Sequence, residues 1–130
     1  MTLPSSGGSR GGLVLVVDDD EDVLEAISEA LVQAGYSVLG ASDGAEALEQ
    51  LKTATPALIL LDLYMPTMDG AEFRREQLRN PSSAAIPTVA ISAVDDVDTR
   101  ARGLGFDDAL EKPVQLDVLL SLVARYCVPA

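Results

Sequence analysis

Chemically capable side chains stand at the ends of apolar runs. Asp18, Asp19 and Asp20 follow the run 13–17, Asp62 follows 57–61, Ser92 follows 86–91, and Lys112, with Pro113 after it, follows 109–111. The chain has no histidine and a single cysteine, Cys127. Chemistry is therefore left to carboxylates, hydroxyls and lysine. Carboxylates brought close together repel and cannot all stay ionised without a cation. Oxygen donors without imidazole or thiolate select a hard ion. Mg²⁺ fits best, because it keeps several waters and is held by few carboxylates together with phosphate oxygens. A lysine and a hydroxyl on the other side can then contact the remaining phosphoryl oxygens and offset transition-state charge.

The elements needed to position these groups are legible. Residues 13–17 form a β-branched apolar run of the kind buried on both faces of a sheet. Asp20 is the expected N-cap of a helix in which Val23, Leu24, Ile27, Ala30, Leu31 and Ala34 follow helical spacing, and Gly35 is the stop. Strands are expected at 36–39, 57–61, 86–91 and 109–111. A second helix opens at Ser42 or Asp43, with Ala47, Leu48 and Leu51 inward. Further helices are expected at 70–79, closed by Asn80-Pro81, at 95–104, a weaker one, and at 115–126. In the last, Leu116, Leu119, Leu120 and Val123 share one face and read as core.

Strand–helix alternation of this kind means an α/β fold, a doubly wound parallel sheet of five strands covered on both faces. Right-handed crossovers leave few topologies. The flavodoxin-like strand order 2-1-3-4-5 has its switch point between strands one and three, the place where such sheets bind ligands at the carboxyl ends. That order would bring Asp18 and Asp19 beside Asp62.

Composition sets outer limits. The chain has 130 residues, of which 48% are hydrophobic and 4% aromatic, so one domain with an aliphatic core is expected. Residues 1–12 are Gly/Ser-rich and read as a disordered tail or linker, leaving 13–127 as the domain. The net charge of −12 argues against direct nucleic-acid binding, which needs basic surface. No stretch has the apolar length of a membrane span, no leader pattern opens the chain, and the lone Cys127 excludes an internal disulfide. A cytoplasmic setting follows as the default.

Four segments, in order and at matching spacing, give a resemblance covering about residues 13–127. They are Val17-Asp18-Asp19-Asp20, Asp62-Leu63-Tyr64-Met65-Pro66 with Met68-Asp69-Gly70, Ala90-Ile91-Ser92-Ala93, and Lys112-Pro113. Together they resemble the response-regulator receiver family of two-component signalling. The resemblance implies that Asp62 is the phosphoacceptor, and that Asp19 and the Tyr64 backbone carbonyl bind Mg²⁺ with Asp62. It implies that Asp18 acts mainly through a metal-bound water, Ser92 carries the switch hydroxyl, and Lys112 pairs with the phosphoryl group. The Lys112–Pro113 bond is expected cis. The implied donor is a phosphorylated histidine on a kinase or a histidine phosphotransfer protein. The chain would catalyse only its own phosphorylation and dephosphorylation, and would signal to a downstream protein partner.

Two other readings compete. An aspartate-nucleophile phosphatase would carry an acid two residues after the nucleophile, where this chain has Tyr64. A receiver-fold interaction domain working without phosphorylation usually lacks an acid or the lysine, and this chain has both. One departure affects the readout. Three residues before Lys112 the family often has an aromatic that turns inward, and here the residue is Ala109, with Phe106 too far along the chain to be its expected substitute. The chain reads either as a stand-alone regulator or as the excised receiver of a hybrid kinase.

Overall fold

The structure, a computed structural model, describes residues 12–63, 70–93 and 105–127. Its centre is a five-stranded parallel sheet built from β1 (Leu13–Val17), β2 (Ser37–Ala41), β3 (Leu58–Asp62), β4 (Thr88–Ala93) and β5 (Asp108–Lys112), in the order β2-β1-β3-β4-β5. The expected order and its switch point between β1 and β3 are both present. The helices among the described residues are α1 (Glu21–Gln33), α2 (Gly44–Gln50), α3 (Gly70–Arg79), α4 (Pro81–Ala84) and α5 (Leu116–Tyr126).

Alternation along each strand divides the core in two. Val14, Val16, Leu58 and Leu60 point to the side where Ile27 and Leu31 of α1 and Leu119 and Val123 of α5 pack. Leu15, Val17, Ile59 and Leu61 point the other way, onto Ala47 and Leu51 around α2 and Phe73 of α3. A side chain of this size contributes about 1.5–3 kcal/mol when fully buried. Residues 14–17 of β1 and 58–61 of β3 are all apolar for that reason.

Local signals act as the sequence leads one to expect. The Asp20 carboxylate accepts from the Asp22 and Val23 N–H groups and caps α1. Gly35 takes φ 101°, and the N–H groups of Gly35 and Tyr36 donate to the Val32 and Leu31 carbonyls, a glycine-dependent stop. Asp43, not Ser42, caps α2, accepting from the Glu46 N–H. The Lys112–Pro113 bond is cis.

Three expectations need correction. Asn80-Pro81 closes α3 but also opens α4: the Asn80 side chain accepts from the Ser82 N–H, and Pro81 fills the first turn. β4 begins at Thr88 and not at 86, because Ile86 belongs to the turn after α4, its N–H donating to the Ser83 carbonyl. Leu116, read as core, is 41% exposed, since it sits in the first turn of α5 and the buried stripe begins with Leu119. The helix expected at 95–104, and the readings placed on Tyr64, Met65 and Met68, lie outside the described residues.

Candidate functional site

The carboxyl edge of the sheet gathers the acids. β1 and β3 pair with Val17 beside Leu61, so both strands release their next residue, Asp18 and Asp62, at the same edge. Both side chains are buried, while Asp19 is exposed. Oxygens of Asp18, Asp19 and Asp62 all lie within 4.8 Å of one another. Asp18 is held on both sides. Its N–H donates to the Ala41 carbonyl at 3.0 Å, and its Oδ1 accepts from the Asp20 N–H at 2.9 Å. Asp20 itself is spent on capping α1. That leaves three acids for the site.

Lys112 closes the cluster from the end of β5. Its Nζ donates to Asp62 Oδ2 at 3.3 Å and lies 3.5 Å from Asp18 Oδ2 in an ion pair. Burial works against the charged ammonium, but the Asp62 and Asp18 carboxylates outweigh it and hold the Lys112 pKa above the ordinary lysine value. Ser92 stands at the end of β4, one position beyond Ile91, the register partner of Asp62. Its hydroxyl is buried and has no hydrogen-bond partner among the described residues. The structure thus brings Asp18, Asp19, Asp62 and Lys112 into one cluster and sets Ser92 at the neighbouring strand end.

The donor set fits a hard divalent cation. Three carboxylates converge, and the buried Asp18 Oδ2 faces Lys112 Nζ at 3.5 Å with no closer donor among the described residues, so it keeps a lone pair open to a cation. Beside Lys112, the sequence reading missed an apolar groove of about 580 Å³ lined by Val23, Ile27, Pro113, Val114 and Leu116. The signal was available: Leu116 directly follows the expected helix start and precedes the buried stripe by a full turn.

Comparison with known proteins decides the family. The model of the response regulator receiver domain matches residues 14–124. The chain belongs to the response-regulator receiver family. Over 110 residues this receiver is 43% identical to Response regulator MprA of Mycobacterium avium, covering 83% of this chain and 47% of that one. It therefore spans about half the length of the curated relatives it matches. Among solved structures, the receiver superposes on the receiver domain of a Francisella response regulator with TM-score 0.78 and 32% identity, covering 88% of this chain and 94% of the other. The receiver domain of a signal transduction histidine kinase from Syntrophus aciditrophicus gives TM-score 0.82 and 31% identity over 90% and 89%. The chemotaxis response regulator CheY4 of Vibrio cholerae gives 0.82 and 29% over 89% and 98%. A receiver domain of two-component signal transduction is what these matches share. None of the helices among the described residues is long and apolar enough to cross a membrane.

Proposed function

We propose that this receiver takes a phosphoryl group onto Asp62 from a phosphohistidine of a histidine kinase or phosphotransfer protein, and passes the event to a downstream protein. The observation that carries the reading is the setting of Asp62. Its carboxylate is almost wholly buried at the switch point, within reach of two further acids and 3.3 Å from the Lys112 ammonium. In the transfer, an Asp62 oxygen attacks phosphorus, the new O–P bond forms as the histidine N–P bond breaks, and the freed imidazole keeps the electron pair and takes a proton from solvent. The product is an acyl phosphate.

Asp18, Asp19 and Asp62 would hold Mg²⁺, with the Tyr64 carbonyl as a further ligand suggested by family resemblance. When bound, the ion supplies positive charge against the phosphoryl oxygens and relieves repulsion among the acids. Lys112 would move from its pair with Asp62 to a phosphoryl oxygen, a short displacement for a head group that remains partly exposed. The unpartnered Ser92 hydroxyl would donate to another phosphoryl oxygen, drawing the end of β4 inward. The groove of Val23, Ile27, Val114 and Leu116 beside Lys112 suits an apolar helix of the phosphodonor. The residue set suits a cytoplasmic signalling protein that catalyses only its own phosphorylation and dephosphorylation.

Incubation with a small acyl-phosphate donor and Mg²⁺, followed by intact-mass measurement, tests the reading. Wild type should gain one phosphoryl group, and Asp62→Asn none. An unlabelled wild type would favour an interaction domain working without phosphorylation. A burst of phosphate release with rapid turnover would favour an aspartate-nucleophile phosphatase.

A further inference from the structure

Ala109 lacks the aromatic side chain that the family often carries three residues before the lysine. The structure supplies a ring from elsewhere. Phe106 and Ala109 both pack against one small cluster, the buried pair Leu63 and Ala90. Leu63 directly follows Asp62. Ala90 stands two residues before Ser92 and so points to the same face of β4. The Phe106 ring thus rests on the pair formed by the residue after the acid and the residue two before the hydroxyl, and packs against the core under α3 as well.

That ring is held. The Arg74 guanidinium of α3 lies over it, 5.2 Å from the centroid. Arg74 is only 6% exposed and is fixed at two further points: Nη2 donates to the Gly105 carbonyl at 2.8 Å, and Nη1 to Gln77 Oε1 at 2.9 Å. Gln77, fully buried, continues the chain of bonds to Thr88 Oγ1 at 3.0 Å. The Thr88 N–H in turn donates to Asp107 Oδ2 at 2.8 Å. Burial pulls the Arg74 pKa down and the Asp107 carboxylate partly restores it. The planar fork of Arg74 fixes a carbonyl, an amide and a ring at once, which leucine or methionine in its place would not.

We propose that Phe106, set in place by Arg74, is the element through which this receiver registers the state of Asp62, in the absence of an aromatic at position 109. Arg74 is a positioning residue acting through the ring and the 105–107 segment. The inference rests on the proposed phosphorylation. A shift of Leu63, or of β4 near Ala90, is felt by the Phe106 ring packed against that pair, because a close-packed interior leaves little free volume to absorb it.

The chain contains two phenylalanines, Phe73 and Phe106. This 130-residue chain with ¹³C-labelled phenylalanine rings therefore gives two sets of signals, assigned with Phe106→Leu, and the fully buried Phe73 gives the comparison signal. Spectra are recorded with Mg²⁺ alone and with Mg²⁺ plus a small acyl-phosphate donor, with intact mass measured on the same samples. The expected result is movement of the Phe106 signals on labelling, larger than that of Phe73 and absent in Asp62→Asn. In Arg74→Lys, which keeps the charge but loses the fork, the resting Phe106 signal should be displaced and its response to labelling diminished. A labelled wild type whose Phe106 signals stay still overturns the inference and leaves the phosphorylation reading standing. An Arg74→Lys protein that melts earlier yet keeps the full Phe106 response shows a purely structural arginine and removes it from the proposal. A wild type that takes no phosphoryl group removes both readings together.

Discussion

Lys112 competes with any cation for the same two carboxylates, and the size of that competition is set by the geometry. Its Nζ lies 3.3 Å from Asp62 Oδ2 and 3.5 Å from Asp18 Oδ2. At water-like dielectric each unit-charge pair at this range is worth about 1 kcal/mol, and several times more in a dry interior. The Lys112 side chain is 32% exposed, so its head can swing into solvent and recover much of that energy when an ion arrives. The lower end is then the appropriate one, a net cost to the cation of roughly 1–2 kcal/mol. Lys112→Met removes the competing charge and keeps much of the apolar stem. Mg²⁺ should therefore bind roughly 5- to 30-fold more tightly to this variant than to wild type. Lys112→Arg, which retains a cation, should stay near wild type. Calorimetric titration of Mg²⁺ into the three proteins at one fixed ionic strength measures this, and the gain should shrink as salt is raised. The same Lys112→Met protein should accumulate less acyl phosphate, having lost a contact to the phosphoryl oxygens. Equal or weaker Mg²⁺ binding in Lys112→Met would refute the reasoning, since the lysine would then be helping to organise the acids instead of occupying them.

Neighbouring acids should separate by role. Asp19→Ala should abolish measurable Mg²⁺ binding in the same titration and prevent labelling of Asp62. Asp20→Ala should leave the Mg²⁺ affinity near wild type and lower stability by about 1 kcal/mol in urea unfolding, the usual cost of a lost N-cap. Cys127 is buried at the end of α5, and burial pushes its thiol pKa up. Alkylation by iodoacetamide at neutral pH should therefore be far slower in the native protein than in denaturant, because the thiolate is the reacting species. With the folded value above the unfolded one, any stability this thiol contributes is full below the ordinary thiol range. It is lost progressively as pH rises from the ordinary thiol value through the raised folded pKa.

How far the sequence reached depended on whether the deciding partner was local. The strands were legible because a strand buried on both faces leaves an unbroken apolar run, as at Leu58–Leu61, and because the acids follow such runs directly. Asp20, Asp43 and Gly35 were legible because a cap is satisfied within a few residues. Element order then carried the acids to one edge, since parallel pairing of β1 and β3 aligns the residues that follow them. Strand ends were placed less well where an apolar residue serves a turn, as Ile86 does, or where a proline both ends one helix and starts another, as Pro81 does. The polar core under β4 was not legible at all. Arg74 and Gln77 stand on a helix whose composition is mostly polar, and nothing nearby in sequence distinguishes them from the exposed Arg75 and Glu76. Apart from the bond between the two, their acceptors include Gly105, Ser83, Ile86 and Thr88, six to thirty-one residues away. Phe106 was set aside for the same reason: counted along the chain it is three positions from the one an aromatic should occupy. Packing does not count along the chain. What an aromatic at 109 could reach is the vicinity of Leu63 and Ala90, and a ring entering from the turn before β5 reaches the same pair once an arginine from α3 holds it there.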